Sequence, residues 1–455
     1  DPEMSRGLGD VYKRQLLELV IDLYEAGDYA QGITLAEKWV KQQNVSRQED
    51  IYPLVYYYIA YGYQNLHRKE NTEQANCYMT MYVTLGENAA ADGCFPHRTE
   101  DYIVLKSLAE EYHLAMASYY LGCLLYDRRV YDESIEDYEE SILRSPDFPT
   151  VHRNLALAYY NVKKLPQRAY EEMEKAFALD ETDARVYLEL DQLKKRLNVA
   201  VKERWSDMEK HFDLVESRDD LYLEYVTLLN TLGEPEKALG LIKARKFHQW
   251  EGGEGKVAAQ YLTALYQLAK AAVEKEDYAE AKELLLRAVG EYPHNLGEGK
   301  LESGQENNLY YLLGLVQEKL GEAKDAFESL TRACCGESEP VGMMYYNDQP
   351  PEMIYYQGLA YRMLGEEEQA VRRFQKLVDY GREHIRDDVK IDYFAVSLPD
   401  LLIFEENLNE RNRKHCLFMM SLGLKGLGRI DEAEKCAEEL LAMDNAHQEI
   451  RVHDL

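Results

Sequence analysis

Along most of the chain the apolar positions recur with the three-to-four-residue spacing of amphipathic helices, and period-two alternation is scarce. Within that helical pattern a second regularity appears. A small residue is followed twelve positions later by another, as in Gly122/Ser134, Ala269/Ala281, Gly314/Ala326, Gly358/Ala370 and Ser421/Ala433, with Val226/Ala238 carrying one bulky member. Turn signals fall between the members of several pairs, among them Leu232-Gly233, Leu320-Gly321, Leu364-Gly365 and Leu427-Gly428. Larger residues such as Tyr138, Leu285, Leu330 and Phe374 follow at helical spacing, and Pro146 and Pro293 close two units. The pattern predicts antiparallel helical hairpins with almost no sheet. Two helices approach closely only where small side chains face each other, and a glycine in the turn permits the left-handed backbone that ends the first helix.

The unit Leu121-Gly122, Ser134, Tyr138, Ser141, Pro146 resembles the signature of the tetratricopeptide repeat (TPR). Ala156, Ala169 and Ala176 form the next, with one extra residue in the turn, and Val20/Gly32 is a degenerate one. Residues 183–216 read as helical without a clear small pair. The resemblance implies an all-α, right-handed α-solenoid of TPR-like hairpins, because one hairpin cannot bury its apolar face alone and stacks on its neighbours. The expected organisation is a non-native leader at 1–15, degenerate hairpins at 16–112 with a loop near 86–100, an array at 113–245, an array with long inserts at 246–448, and a tail at 449–455. The leader is inferred from Asp10-Val-Tyr-Lys-Arg-Gln15, which reads as a translated transposase mosaic end. The native protein is therefore expected to extend further at its start.

The inserts change the picture. The second-helix alanines Ala238, Ala281, Ala326, Ala370 and Ala433 are spaced wider than a minimal repeat. The extra residues fall after the second helix, at 246–257, 292–307, 336–351 and 380–412, so consecutive inserts are expected to emerge along one edge as spatial neighbours. Two of them share His followed by Gly-Glu-Gly-Lys: His248, Trp250, Glu251, Glu254 and Lys256 in the first, His294, Asn295, Glu298 and Lys300 in the second. The third carries Tyr345, Tyr346, Asn347 and Asp348, and the upstream segments His97-Arg98 and His152-Arg153 have a similar character. Rings beside acids, amides and histidines suit a neutral sugar, since the ring stacks on its apolar face while the polar groups meet its hydroxyls. The competing reading is structural: glycine turns, rings that seal helix ends, and Asp348-Gln-Pro-Pro351 as a capped helix start.

The inserts together with the repeats resemble the C-terminal helical array of large bacterial proteins in which a sugar-enzyme-like β-sandwich domain of unknown function precedes the TPR units. That resemblance implies a protein-interaction scaffold belonging to a carbohydrate-associated protein. Its partner would be a protein or peptide, or its own preceding domain. The alternatives are a carbohydrate-binding module using the inserts, and one part of a composite glycoside-active enzyme with Glu251, Glu254 or Glu298 as its acids.

Charge and composition narrow the partners. Against 53 Lys and Arg stand 83 Asp and Glu, a net charge of −30, which repels nucleic acid and anionic lipid and favours a neutral or basic partner, unless the charge serves solubility alone. The seven cysteines are scattered without CxxC spacing, so reduced thiols in a cytoplasmic protein are expected rather than disulfides or a zinc site. No phosphate-binding loop, nucleophile elbow or metalloprotease motif is present, and neither cofactor, metal nor intrinsic catalysis is expected. Tyrosine is over-used, 37 against 10 Phe, with doublets at 119–120, 159–160, 310–311 and 355–356. One tyrosine of each doublet is expected in the core and its neighbour elsewhere.

Overall fold

The structure, a computed structural model, describes residues 15–46, 51–70, 73–250, 252–300, 304–342, 348–390 and 403–453. Among these the chain is all-α, a solenoid of TPR-like hairpins, and no described residue lies in a strand. It divides into two compact units, Asp1–Asp180 and Glu181–Leu455.

In the first unit the hairpins include Pro53–Glu70 with Glu73–Glu87, Ala115–Asp127 with Tyr131–Arg144, and Pro149–Asn161 with Pro166–Leu179. The twelve-residue pairing has a direct steric cause. A Cβ at Gly122 would stand 2.5 Å from the Tyr138 ring, so the glycine is the recess into which the second helix's tyrosine packs. Ser134 tightens the same contact by donating its hydroxyl to the Gly122 carbonyl at 2.7 Å. The recess recurs in the second unit, where Gly314 receives Leu330 and Gly358 receives Phe374. An extra methyl at any of these points meets an already filled core.

The second unit begins with Ala184–Arg196, Val201–Lys210 and Phe212–Ser217, helical as expected without a small pair. Regular hairpins follow: Asp219–Thr231 with Pro235–Ala244, Lys256–Glu274 with Tyr278–Ala288, Asn307–Lys319 with Ala323–Ala333, Pro351–Met363 with Glu367–His384, and Leu408–Gly426 with Ile430–Met443. Around the first of these helices lies a buried ion cluster. Arg204 is 1 % exposed and meets Asp191 through Nε (3.0 Å) and Nη2 (2.6 Å), while Nη2 also reaches Glu224 at 2.6 Å. The unit's two ends meet. Asn445 donates through its backbone N to the Asn198 side chain at 2.8 Å, and Arg196 donates to the Phe404 carbonyl at 3.1 Å.

Two of the four tyrosine doublets are more deeply buried than expected. Both members are in the core at Tyr119/Tyr120 and at Tyr355/Tyr356, and only Tyr159/Tyr160 divides as anticipated, with Tyr160 half-buried. Tyr310 and Tyr311 are both half-buried.

Candidate functional site

The first two inserts of the second unit fold against each other. Phe247 donates its backbone N–H to the Asn295 carbonyl at 2.9 Å, and Gln249 donates to the Gly297 carbonyl at 2.9 Å. Glu298 then reaches the start of the Lys256–Glu274 helix, accepting from the backbone N–H groups of Gly255 (2.8 Å) and Ala258 (3.1 Å). It thus supplies from the next insert the acceptor and negative charge that a helix N-terminus lacks. His248, Trp250, Glu254 and Glu298 border one open hollow of about 410 Å³. The Trp250 ring lies over Gly253, where a Cβ would come within 2.2 Å of it.

Other candidates have structural tasks. Asn295 donates to the carbonyls of Ile242 (2.7 Å) and Arg245 (2.9 Å), closing the end of the Pro235–Ala244 helix. Lys300 donates to the Val289 carbonyl at 2.6 Å and pairs with Glu306 at 2.8 Å. Lys256 opens its helix on the exposed side, and His294 is exposed in a 3-10 turn that does not border the hollow. His248 meets Asp219 through both its backbone N–H and Nδ1. Asp348 is half-buried, outside the hollow. Glu251, Tyr345, Tyr346 and Asn347, with Ser397-Leu-Pro399 of the fourth insert, lie outside the described residues.

The upstream candidates belong to the first unit. His152 is buried with both ring nitrogens committed, Nδ1 to Glu172 at 2.6 Å and Nε2 to the Pro146 carbonyl at 2.8 Å. Burial opposes its charging, but these acceptors outweigh it and raise its pKa. Arg153 bonds the neighbouring Asn154 at 3.2 Å. His97 and Arg98 donate their backbone N–H groups to Asp101, each at 3.0 Å, and the Arg98 side chain pairs with Glu18.

A different place in the second unit gathers more chemistry. The short helix Gln448–Val452 lies among helices of that unit far from it in sequence. Gln448 takes a bond from Gln260 at 2.8 Å and donates to the Thr227 carbonyl and the Thr231 hydroxyl, both at 3.1 Å. Lys270 holds the Val452 carbonyl at 2.9 Å. His453 closes the segment, with Nδ1 3.1 Å from the Tyr356 hydroxyl, itself 2.6 Å from that of Tyr266. Burial, with Lys270 and His447 nearby, pushes the His453 ring down to about 3.

Beside this segment a cavity of about 530 Å³ remains. Its apolar walls include Leu262, Leu309, Pro351, Met353 and Phe418. Its polar lining includes Glu352, which is 7 % exposed and whose Oε2 has no hydrogen-bond partner. Burial first, and the Glu449 charge second, push that carboxyl up to about 8. His415 also lines the cavity. It bonds the Val341 carbonyl at 2.8 Å, yet burial pushes it down to about 4. No pattern of spacing marked this site. Its one local signal is an acid directly after Pro350-Pro351, in the first turn of a helix.

Comparison with known proteins fixes the repeat type. Two tetratricopeptide-repeat family models match the chain, one over residues 119–184 and 266–340, the other over 352–380. Those segments match tetratricopeptide repeats. Among solved structures, the TPR protein YrrB, described as having an unusual peptide-binding site, is similar at 18 % identity. The match covers 40 % of this chain and 89 % of that one, with a TM-score of 0.30. A TPR protein from Parabacteroides merdae is similar at 14 % identity over 67 % of this chain and 98 % of that one (TM-score 0.25). The Naa15/Naa10 complex bound to HypK-THB matches at 12 % identity, covering 95 % of this chain but 59 % of that one (TM-score 0.31). Among the described residues, no helix is long and apolar enough to cross a membrane.

Proposed function

We propose that this TPR protein is an interaction scaffold whose second unit holds a short segment of a partner protein in the groove beside residues 444–453. One observation carries the reading: the groove already grips a helical segment of the chain itself, through main-chain and side-chain bonds from three separate helices. A surface able to satisfy the polar groups of one short helix has the donors, acceptors and apolar walls to hold another. The test leaves the groove intact and loosens only its occupant. In the Gln448→Ala/Val452→Ser double variant, a fluorescent peptide spanning Asp444 to His453 should bind saturably, and to the wild type much more weakly. Absence of binding to either protein, with both folded, would sink the reading.

A second reading concerns the hollow at Trp250. A ring beside Glu254 and His248 in an open depression of about 410 Å³ has the composition and size for a neutral sugar. If it is such a site, a sugar from a mixed panel raises the melting temperature of the wild type and not of Trp250→Ala. Saturation at about 100 times the dissociation constant stabilises by roughly 2.7 kcal/mol. The resemblance of the repeats and inserts extends the proposal to a cytoplasmic bacterial setting, with this chain as the C-terminal module of a larger carbohydrate-associated protein. No catalytic role is proposed for this chain alone.

A further inference from the structure

The cavity beside the 444–453 segment contains a specific chemical demand. Glu352 enters the groove from the first turn of Pro351–Met363, its Oε2 unpartnered and its Oε1 4.0 Å from His453 Nε2. That histidine is held neutral by burial, so it supplies no counter-charge. Lys270, whose charge acts on His453 from outside the lining, bonds the Val452 carbonyl. The two cations of the lining face acids: Arg411 pairs with Glu406 at 3.3 Å, and Lys414 reaches Asp444 at 3.5 Å. Glu449 adds a further acid beside His447, at 3.4 Å. The charged lining therefore comprises four acids against two cations, and both cations already face acids. Gln305, also in the lining, carries an unpartnered side-chain oxygen of its own.

Resting on the reading of the groove as a partner-segment site, we propose that this cavity recognises a basic side chain, a lysine or arginine of the partner segment, with Glu352 as its acceptor. A buried carboxyl without a cation is costly, and the fold lowers that cost by keeping it protonated. An entering ammonium or guanidinium supplies the missing charge, takes up the orphaned oxygen, and lays its aliphatic stem along Leu262, Leu309, Met353 and Phe418. An anionic group would meet the excess of acids. A neutral amide would fill one lone pair and leave the charge imbalance in place. Since Glu352 ionises on binding, its proton leaves to solvent at neutral pH, and affinity tightens as pH rises from 6 toward 8.

The experiment pans a displayed library of random dodecapeptides against the full chain and against the segment-loosened double variant. Groove-directed peptides are those whose binding is blocked by Thr263→Trp, which fills the cavity. The expected result is a lysine or arginine at one fixed position. Affinity should fall at least tenfold on Glu352→Gln, and equally when that lysine is replaced by norleucine. Binding should also tighten by up to tenfold per pH unit between 6 and 8. Because Gln matches the neutral acid in shape, the variant should fold; if it does not, the norleucine peptide and the pH series decide the matter on the wild-type protein. Groove-directed peptides without a basic preference, or indifferent to both replacements, overturn the inference and leave the groove reading standing. No groove-directed peptide from either protein overturns both.

Discussion

The two units build the same hairpin and settle some of their buried acids differently. In the first unit two buried tyrosine hydroxyls meet acids, while Tyr120 and Asp137 each keep an oxygen without a partner. Tyr57 donates to Glu87 at 2.7 Å, and Tyr58 donates to Asp101 at 2.8 Å. Each acid also collects backbone N–H groups, Glu87 from Met116 and Ala117, Asp101 from His97 and Arg98. In the second unit the load is concentrated. A buried arginine carries two acids, and the cavity beside the chain's own segment retains an acid with one unpartnered oxygen. Where polar groups are met, as around Glu87 and Asp101, the network stiffens the body. An unmet buried acid calls for an explanation, and the one proposed for Glu352 is a partner's charge.

The sharpest way to break this comparison is to remove one charge from the concentrated cluster. Arg204→Met leaves Asp191, itself 3 % exposed, buried without its cation and should cost about 3–5 kcal/mol. Tyr58→Phe in the first unit removes one bond from an acid that keeps two backbone donors, and should cost only about 1.5 kcal/mol. Hydrogen exchange read peptide by peptide places each effect. The first substitution should loosen peptides of 181–453 and the second those of 15–180. Equal losses would mean that the second unit's cluster is no more concentrated than the first unit's pairs.

The groove contributes a pH dependence of its own to stability. Glu352, raised to about 8, holds its proton in the folded chain after an unfolded glutamate has lost it near 4.3, so its contribution declines as pH rises toward 8. His453, depressed to about 3, acts the other way, favouring the fold increasingly from about 3 to 6.5. Between roughly 4.3 and 6.5 the two oppose each other, with His415, depressed to about 4, on the side of His453, and above that range Glu352 leaves a net decline from the groove. Between pH 6.5 and 8 that contribution should fall by about 2 kcal/mol, at no more than about 1.4 kcal/mol per pH unit. Glu352→Gln should flatten that limb in calorimetric melts. A wild-type profile already flat there would remove the charge burial on which the contrast with the first unit depends.

What the sequence disclosed follows the range of the forces involved. Gly122/Ser134 and Gly358/Ala370 were legible because the steric recess, the turn and the residue that fills it sit within sixteen positions of one another. The first two inserts are neighbours as expected, while the fourth, read as 380–412, overlaps the helices Glu367–His384 and Leu408–Gly426. Their chemistry was ambiguous for a physical reason. Asn295 has the amide donors that a sugar hydroxyl would accept from, and the same donors close a helix end at Ile242 and Arg245. Asn307 and Asn412 do likewise at Ala333 and His384, a recurring clasp that composition alone cannot distinguish from a ligand contact. The groove was invisible because it pairs Gln448 with Thr227 and Lys270 with Val452, across about two hundred positions with no local periodicity.

The smallest difference between the units lies in their turns and gives the most controlled test. The second unit mostly uses glycine where the first helix ends, with φ of +79° at Gly233, +78° at Gly321 and +83° at Gly365. The first unit places Arg129 (φ 62°) and Lys164 (φ 55°) at the corresponding turns. A side chain in that left-handed region costs about 1–2 kcal/mol, while glycine costs about 0.5–1 kcal/mol more than alanine in lost chain entropy. Arg129→Gly should therefore stabilise the first unit by about 0.5–1 kcal/mol. Gly321 is surrounded by open space, so Gly321→Ala adds no clash and should destabilise the second unit through backbone strain alone, by a similar amount. Calorimetry on both variants measures the two signs. If Arg129→Gly is destabilising instead, its side chain contributes more on the surface than its backbone loses, and the first unit's turns are held by side-chain bonds in the same manner as its core.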